Sequence, residues 1–286
     1  MHSLTISELI FNGVSKLKKH NIESPVLNAG VILCHVLLCD RIFLYSHGDE
    51  YVDVNEIKKY NTMIEQRAKG KPLQYIIGKN EFISLSFIVT PDVLIPRPET
   101  ELLVEHVIKI SESINKNKIN ILDIGTGSGC IAICLAFYIK NALVTALDIS
   151  KEALRIAQLN ASSLEVTDRI TFIESNLFEK LNETEKFDVI VSNPPYIPSS
   201  DIEILQTEVK DHEPLIALDG GDDGLFYYRE IIKQSIAYIK KGGFLALEVG
   251  VGQAALVSYM MSESFSNIRV IKDLSGIDRV VFGKIK

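Results

Sequence analysis

The stretch Ser192-Asn193-Pro194-Pro195-Tyr196-Ile197-Pro198 follows FDVIV, an apolar run that reads as a buried strand. Two successive prolines remove two backbone donors, fix φ twice and bias Asn193 toward an extended conformation, so the segment can continue neither a ladder nor a helix. An ordinary loop could use that stiffness merely to turn. Chemically, though, the segment offers two acceptors and a flat face. Asn193 brings its side-chain oxygen and Pro194 its carbonyl, which a residue without an N–H does not readily fold into a local turn; Pro195 holds that carbonyl in place. Tyr196 supplies a ring on which a planar group can stack. Such a frame suits a planar nitrogen whose N–H bonds must be held while its lone pair attacks.

A second loop, Asp123-Ile124-Gly125-Thr126-Gly127-Ser128-Gly129, joins an apolar strand, INILDIG, to an apolar helix, CIAICLAFYIK. Glycines permit a tight turn and close backbone approach, and the helix N-terminus offers unpaired amides to an anionic group. The spacing is GxGxG followed by Cys130, which departs from the GxGxxG dinucleotide fingerprint, and the GxxxxGK[ST] phosphate loop is absent. Asp148, at the end of the next strand, stands where a ribose diol is held in sheets of this kind; NAD and S-adenosylmethionine would both want it. Ser175-Asn176-Leu177-Phe178 ends the third strand, with a polar and an apolar side chain suited to an adenine. SNPPY ends the fourth. A sulfonium methyl as electrophile then joins the two loops: a carboxamide or base amine held by the NPPY frame needs neither metal nor strong base, because positioning does most of the work and its proton can leave after transfer.

The elements that must position these loops are legible as patterns. From Ile119 onward, apolar strands alternate with helical segments, which predicts a doubly wound parallel α/β sheet. LFYYREIIKQSIAYI and QAALVSYMMSES read as helices, GFLALEVG as a strand, and IRVIKDL and RVVFGKI as closing strands. The first seventy or so residues read as helices capped at Thr5 or Ser7, at Ser24 before Pro25, at Asp40 and at Asp53, the last ending near Gly70. EFISLSFIV suggests a short hairpin between two domains. PRPETE (96–101) opens a further helix, with Pro98 in its first turn and Glu99 and Glu101 at the positive end of its dipole. Arg97, held between two prolines, is unusual for a linker.

Composition narrows the class. The 286 residues, 47% of them hydrophobic, can build a large core without staples. No apolar run reaches the roughly 18 residues needed to span a bilayer, and the N-terminus carries no leader pattern, so a cytoplasmic protein without membrane partners is expected. Cys34, Cys39, Cys130 and Cys134 form no CxxC knuckle and read as small apolar residues; His20, His35 and His47 share no ligand spacing, so no metal is expected. A net charge of −7 opposes a phosphate backbone, and no nucleic-acid substrate is expected.

DIGTGSG, Asp148 and NPPY resemble class I S-adenosylmethionine-dependent methyltransferases acting on nitrogen, a group that includes adenine and guanine methylases of DNA and RNA. PLQYIIG (72–78), IPRPETELLVE (95–105), EPLIALDGGDDGL (213–225), LEVGVGQ (247–253) and DRVV (278–281) resemble more narrowly the protein-glutamine methyltransferases of class I peptide chain release factors, the HemK or PrmC family. The likeness runs from about residue 24 to the C-terminus. It implies a mostly parallel seven-stranded sheet in residues 96–286, a β-hairpin linker over 76–95, and a helical recognition domain over 1–75 that helps dock a release factor. By the same resemblance, Gly125, Thr126, Gly127, Ser128 and Gly129 pass under the methionine part of S-adenosylmethionine, which leaves as S-adenosylhomocysteine. Asp148 holds the ribose, Asn176 and Leu177 border the adenine, and Arg97 and Thr100 lie near the cofactor pocket. Asn193, Pro194, Pro195 and Tyr196 receive the glutamine of a Gly-Gly-Gln loop, with Asn193 also beside the cofactor. Two positions depart from the family pattern: Asn176 stands where aspartate is usual, so the adenine contact loses its charge, and Asn28 replaces an acidic residue, which would alter docking.

Two other readings stay open on the sequence. NPPY alone also fits a nucleic-acid amine methyltransferase, against the acidic charge and the lack of a basic, aromatic-interleaved tract. A binding module with a vestigial catalytic loop would have to carry an NPPY and a glycine loop that are both visibly intact.

Overall fold

In a computed structural model that describes residues 4–114 and 116–286, the chain forms two units: residues through Lys79 together with Gln206–His212, and Asn80–Leu205 with Glu213–Lys286. The first unit is helical, built from α1 (Ile6–Lys19), α2 (Pro25–Leu37), α3 (Arg41–Ser46), α4 (Val54–Ala68) and α5 (Leu73–Ile77). Thr5 caps α1 in a reciprocal box with Glu8, Asp53 does the same for α4 with Glu56, and the Asp40 carboxylate accepts from Phe43 N at 2.8 Å. Leu9, Leu17, Ile32, Leu33, Tyr60 and Ile64 close the core of this unit.

Ser24 departs from expectation. Its backbone is left-handed, with φ 48°, and its side chain makes no capping bond. Asn28 ties down this end instead, donating from Nδ2 to the carbonyls of Glu23 (3.0 Å) and Ser24 (3.1 Å). Its oxygen accepts from Arg67 Nε at 2.6 Å, and the same guanidinium pairs with Glu208 of the returning segment Gln206–His212. Asn28 is therefore a buried strut, not a surface docking group. Cys34 and Cys39 are only half-buried, whereas Cys130 and Cys134 are buried as expected.

The second unit opens with a hairpin, β1 (Lys79–Phe82, of which Lys79 is counted with the first unit) and β2 (Leu85–Ile88), turned through Ile83 and Ser84, both left-handed at φ 44° and 59°. A β-branched residue pays a steric cost there, and the turn is held from outside: Ile83 N donates to Glu101 at 3.0 Å and Tyr138 Oη donates to Ile83 O at 2.7 Å. Phe82 and Phe87 are buried in the core of this unit.

The sheet comprises β3 (Ile119–Ile124), β4 (Ala142–Asp148), β5 (Ile170–Glu174), β6 (Phe187–Ser192), β7 (Ile239–Glu248), β8 (Phe265–Lys272) and β9 (Asp278–Ile285), in the order β5-β4-β3-β6-β7-β9-β8. The first five in that order are parallel, and β9 runs antiparallel to both neighbours. Alternation along each strand feeds two cores. Ile121, Val144 and Val191 pack with α6 (Pro98–Glu112), α7 (Cys130–Tyr138) and Ala161 of α8 (Lys151–Ser163); Leu122, Leu147 and Ile190 pack with α10 (Phe226–Tyr238) and α11 (Ala254–Met261) on the other face. A short α9 (Thr207–Lys210) lies in the returning segment of the first unit.

At the amino end of the sheet, buried Asp188 accepts from Lys116 Nζ (2.5 Å), Lys240 Nζ (2.7 Å) and Asn120 N (2.9 Å). Burial alone would raise its pKa, but these three donors outweigh it and hold the carboxyl below its ordinary value. A depressed carboxylate contributes stability that is present above its unfolded pKa of about 3.9 and lost as pH falls through the folded value. Asp188→Ala should therefore cost about 1–3 kcal/mol in urea unfolding at pH 7, and the gap from the parent should shrink as the pH is taken below about 4. A pH-independent gap would assign the loss to packing instead.

Candidate active site

Register places the chemistry. Ile124 lies opposite Leu147 of β4 and Ser192 of β6, so the residue after each, Gly125, Asp148 and Asn193, emerges at one level along the carboxyl edge. Chain order reverses across β3, which leaves a crevice at this edge. Ser192 Oγ donates to Ile124 O at 2.7 Å and ties the two strand ends together.

One cavity collects most of the residues singled out from sequence. Gly125, Gly127, Asp148, Asn176, Leu177, Asn193, Pro194 and Pro195 line it, joined by Val93, Ile216 and Tyr227 from segments not assigned to it before. Gly125 and Gly127 are left-handed, at φ 71° and 55°, and a Cβ on either would meet no protein atom within 4 Å: the backbone there fronts open space. Gly129 differs, since a Cβ would meet Ile133 and Ala157 at 3.0 Å or less; it is needed for helix packing. Thr126 and Ser128 are buried, the Thr126 hydroxyl donating to Asp123 Oδ2 at 2.7 Å. Asn160 of α8 seats this loop, donating from Nδ2 to Ser128 O at 2.8 Å and to Ile88 O at 3.0 Å while accepting from Ile88 N.

Of the carboxylates here, Asp123 is buried and Asp148 half-buried, and both are little compensated. Asp148 accepts from Gly127 N (2.8 Å) and Ser150 N (2.9 Å), yet burial still raises its pKa. Asp123 is pushed up to about 7 by burial, against the Thr126 hydroxyl and the Ala132 amide. Asn176 donates from Nδ2 to Glu179 at 2.8 Å, leaving its oxygen as an acceptor.

Tyr196, Arg97 and Thr100 do not line the cavity. Arg97 Nη2 donates to Glu213 Oε1 at 2.6 Å, so the latch joins IPRPET to EPLIALDGG. Thr100 is buried and accepts from Asn193 Nδ2 at 3.1 Å. Tyr196 is half-buried and packs against the core, and burial pushes its hydroxyl up to about 12.

The strip itself is clamped by backbone. Ile197 N donates to Leu218 O (3.0 Å), Gly220 N to Ile197 O (2.8 Å) and Ser199 N to Gly221 O (3.0 Å), so LDGG supplies the pairing that the prolines cannot complete. Gln253 Nε2 donates to Tyr196 O at 2.9 Å. Sequence reasoning missed Glu213, Asn160 and Gln253 as positioning groups. Glu213 and Gln253 stand inside EPLIALDGGDDGL and LEVGVGQ, motifs that carry resemblance but no separate chemical signal, and Asn160 carries no local signal.

The closeness of this clamp can be measured. A Cβ on Gly220 would lie 2.7 Å from Tyr196 Cα and 2.9 Å from Gly224 Cα, contacts only backbone movement can relieve. Gly220→Ala should lose about 1–3 kcal/mol from overpacking and shift the amide resonances of Tyr196 and Ile197. Gly125→Ala, strained at φ 71° but uncrowded, should lose about 1–2 kcal/mol and leave those resonances in place. Identical spectral shifts in the two variants would contradict the clamp.

Comparison with known proteins agrees with this architecture. Residues 8–78 match the PrmC N-terminal domain model and residues 98–211 the methyltransferase small domain model. The chain is 43% identical over 270 residues to the release factor glutamine methyltransferase of Geobacter sulfurreducens, covering 94% of this chain and 93% of that one. It is 41% identical over 280 residues to the enzyme of the same name from Clostridium acetobutylicum, covering 97% and 98%. A crystal structure of a methyltransferase from Pyrococcus furiosus superposes with a TM-score of 0.52 over 71% of this chain and 90% of that one, at 17% identity, a likeness of fold. With 41–43% identity to these proteins over nearly its full length and a methyltransferase sheet whose carboxyl edge carries the glycine loop, Asp148 and NPPY, the chain belongs to the release factor glutamine methyltransferase family.

Proposed function

We propose that the chain transfers a methyl group from S-adenosylmethionine to the side-chain amide nitrogen of the glutamine in the Gly-Gly-Gln motif of class I peptide chain release factors. The observation that carries this reading is the shared cavity: the Asn193-Pro194-Pro195 acceptor strip and the open glycine backbone with Asp148 front the same space. The residues present suit the cofactor. Bare backbone at Gly125 and Gly127 leaves room for its methionine part, the Asp148 carboxylate is an acceptor for the ribose hydroxyls, and the Asn176 oxygen beside Leu177 is an acceptor for the adenine amine. When bound, S-adenosylmethionine supplies an electrophilic methyl on a sulfonium.

The residues of the chain do the positioning. Because Asn193 spends an N–H on Thr100, its Oδ1 is the end left to accept from the substrate amide. The Pro194 carbonyl takes the second N–H. With both held, the nitrogen lone pair lies off the amide plane toward the methyl, and the proton leaves to solvent after transfer. Tyr196 acts here through its backbone, which Gln253 and the LDGG segment hold, and its ring anchors the strip to the core. Residues 1–75 contribute release-factor docking, in the cytoplasm where translation terminates.

Asn193→Ala should lower kcat for methylation of an unmodified class I release factor by at least about 100-fold, as expected for losing a positioned acceptor in a dry site, while cofactor affinity measured by calorimetry changes far less. Peptide mass spectrometry should place the label on the Gly-Gly-Gln glutamine. Label appearing only on ribosomal RNA or DNA supplied in parallel would overturn the substrate and favour a nucleic-acid amine methyltransferase.

A further inference from the structure

Glu248 ends β7 beside Asn193, 2% exposed, with carboxylate oxygen Oε2 lacking a hydrogen-bond partner among the described residues. Beside it, Asn193 Nδ2 donates to the Thr100 hydroxyl at 3.1 Å, and both residues favour its charged form. Its backbone carbonyl accepts from Tyr228 Oη at 3.0 Å, and Tyr228 also donates to Gln253, the residue that holds Tyr196 O. A carboxylate buried this deeply, with no salt bridge among the described residues, costs stability and calls for a compensating role.

We infer that Glu248 is a positioning residue for Asn193: by accepting from Thr100 and from the Asn193 amide nitrogen, it fixes the NH2 away from the cavity and leaves Oδ1 toward the substrate. The inference rests on the acceptor role of Asn193 set out above. A primary carboxamide is close to symmetrical in shape, so packing alone barely distinguishes its oxygen from its nitrogen; hydrogen bonding must decide. Flipped, Asn193 would present N–H to the substrate N–H and repel it. Thr100 alone cannot prevent the flip, because a hydroxyl donates as readily as it accepts. An ionised carboxylate only accepts, so it orients the hydroxyl, and the hydroxyl with the carboxylate orients the amide.

Protonation would weaken the device, since a carboxylic acid carries its own donor. The groups facing Glu248 are Glu99 and Thr100 on α6, Cys130 on α7, Asn193 and Tyr196 on the strip, Tyr228 on α10 and Arg279 on β9. Burial is the chief cause that pushes its pKa up to about 7; Thr100, Arg279 and Asn193 oppose the rise and Glu99 adds to it. The ordered arrangement therefore strengthens as pH rises through neutrality.

The test compares methylation of an unmodified class I release factor by Glu248→Leu, Glu248→Gln, Thr100→Val and Asn193→Ala, with S-adenosylmethionine affinity measured for each. Glu248→Leu should lower kcat about 10- to 100-fold, the worth of one misdirected hydrogen bond, with cofactor affinity within about twofold of the parent. Glu248→Gln, which like the protonated acid carries a donor of its own, should stay close to Glu248→Leu and below the parent in kcat at pH 8. It should also lose the fall in kcat that the parent shows below neutral pH. Asp123 titrates in the same range, so the difference between this variant and the parent is the deciding readout. If Glu248→Leu does not fold, Thr100→Val cuts the same relay with little change of shape and should show the same drop in kcat. Parental kcat in both Glu248→Leu and Thr100→Val would overturn the inference, as would an unchanged acid limb in Glu248→Gln. Full activity of Asn193→Ala would instead overturn the acceptor role on which the inference stands.

Discussion

The register of β3 against its two neighbours is the constraint on which the site depends. Because a strand presents alternate residues to opposite faces, a slip of one position would exchange the two cores, and strands buried on both sides cannot tolerate it. Ile121 and Leu122 each fill a fully packed core on their own face. With the pairing of Ile124 to Leu147 and Ser192 thus set by apolar packing, the three loops leave the sheet at one level. Hydrophobic burial, which has no chemical specificity of its own, positions the polar chemistry.

Rigid strips need partners that can approach them. NPPYIP has few donors of its own, and the LDGGDDG segment meets it with backbone, close enough that a methyl group on Gly220 or Gly224 would collide with Tyr196. Glycine is thus required in two loops for two reasons. At Gly125 and Gly127 it leaves space empty toward a cavity; at Gly220 it fills space with main chain. The Arg97 to Glu213 latch then holds the segment before α6 against the start of EPLIALDGG.

Polar groups placed deep in this unit are arranged with a common logic. Asp188 has two lysines and an amide, and its pKa is depressed. Asp123 has only neutral donors, Glu248 has neutral Thr100 and Asn193 with Arg279 acting only through its charge, and burial raises both to about 7. Charge compensation separates the carboxylate that fastens the amino end of the sheet from the two that border the cavity loops.

The sequence by itself determined the element types, the alternation that makes a doubly wound sheet, the helix caps at Thr5, Asp40 and Asp53, and the loops that carry chemistry. Those signals are local: period, caps, glycine spacing and paired prolines each act within a few residues. Only the tertiary structure decided that β9 inserts antiparallel between β7 and β8, that Tyr196 turns its ring to the core, that Asn28 is a strut for Arg67, and that Arg97 and Thr100 serve Glu213 and Asn193. Asn160 and Glu248 are the clearest cases, an asparagine within an amphipathic helix and a glutamate at a strand end. Asn160 has no distinguishing neighbours in sequence, and Glu248, although inside LEVGVGQ, carries no chemical signal of its own there. Asn160 takes its role from partners 72 and 32 residues distant along the chain, and Glu248 from Asn193 and Thr100, 55 and 148 residues distant, brought together by burial that no short window of sequence encodes.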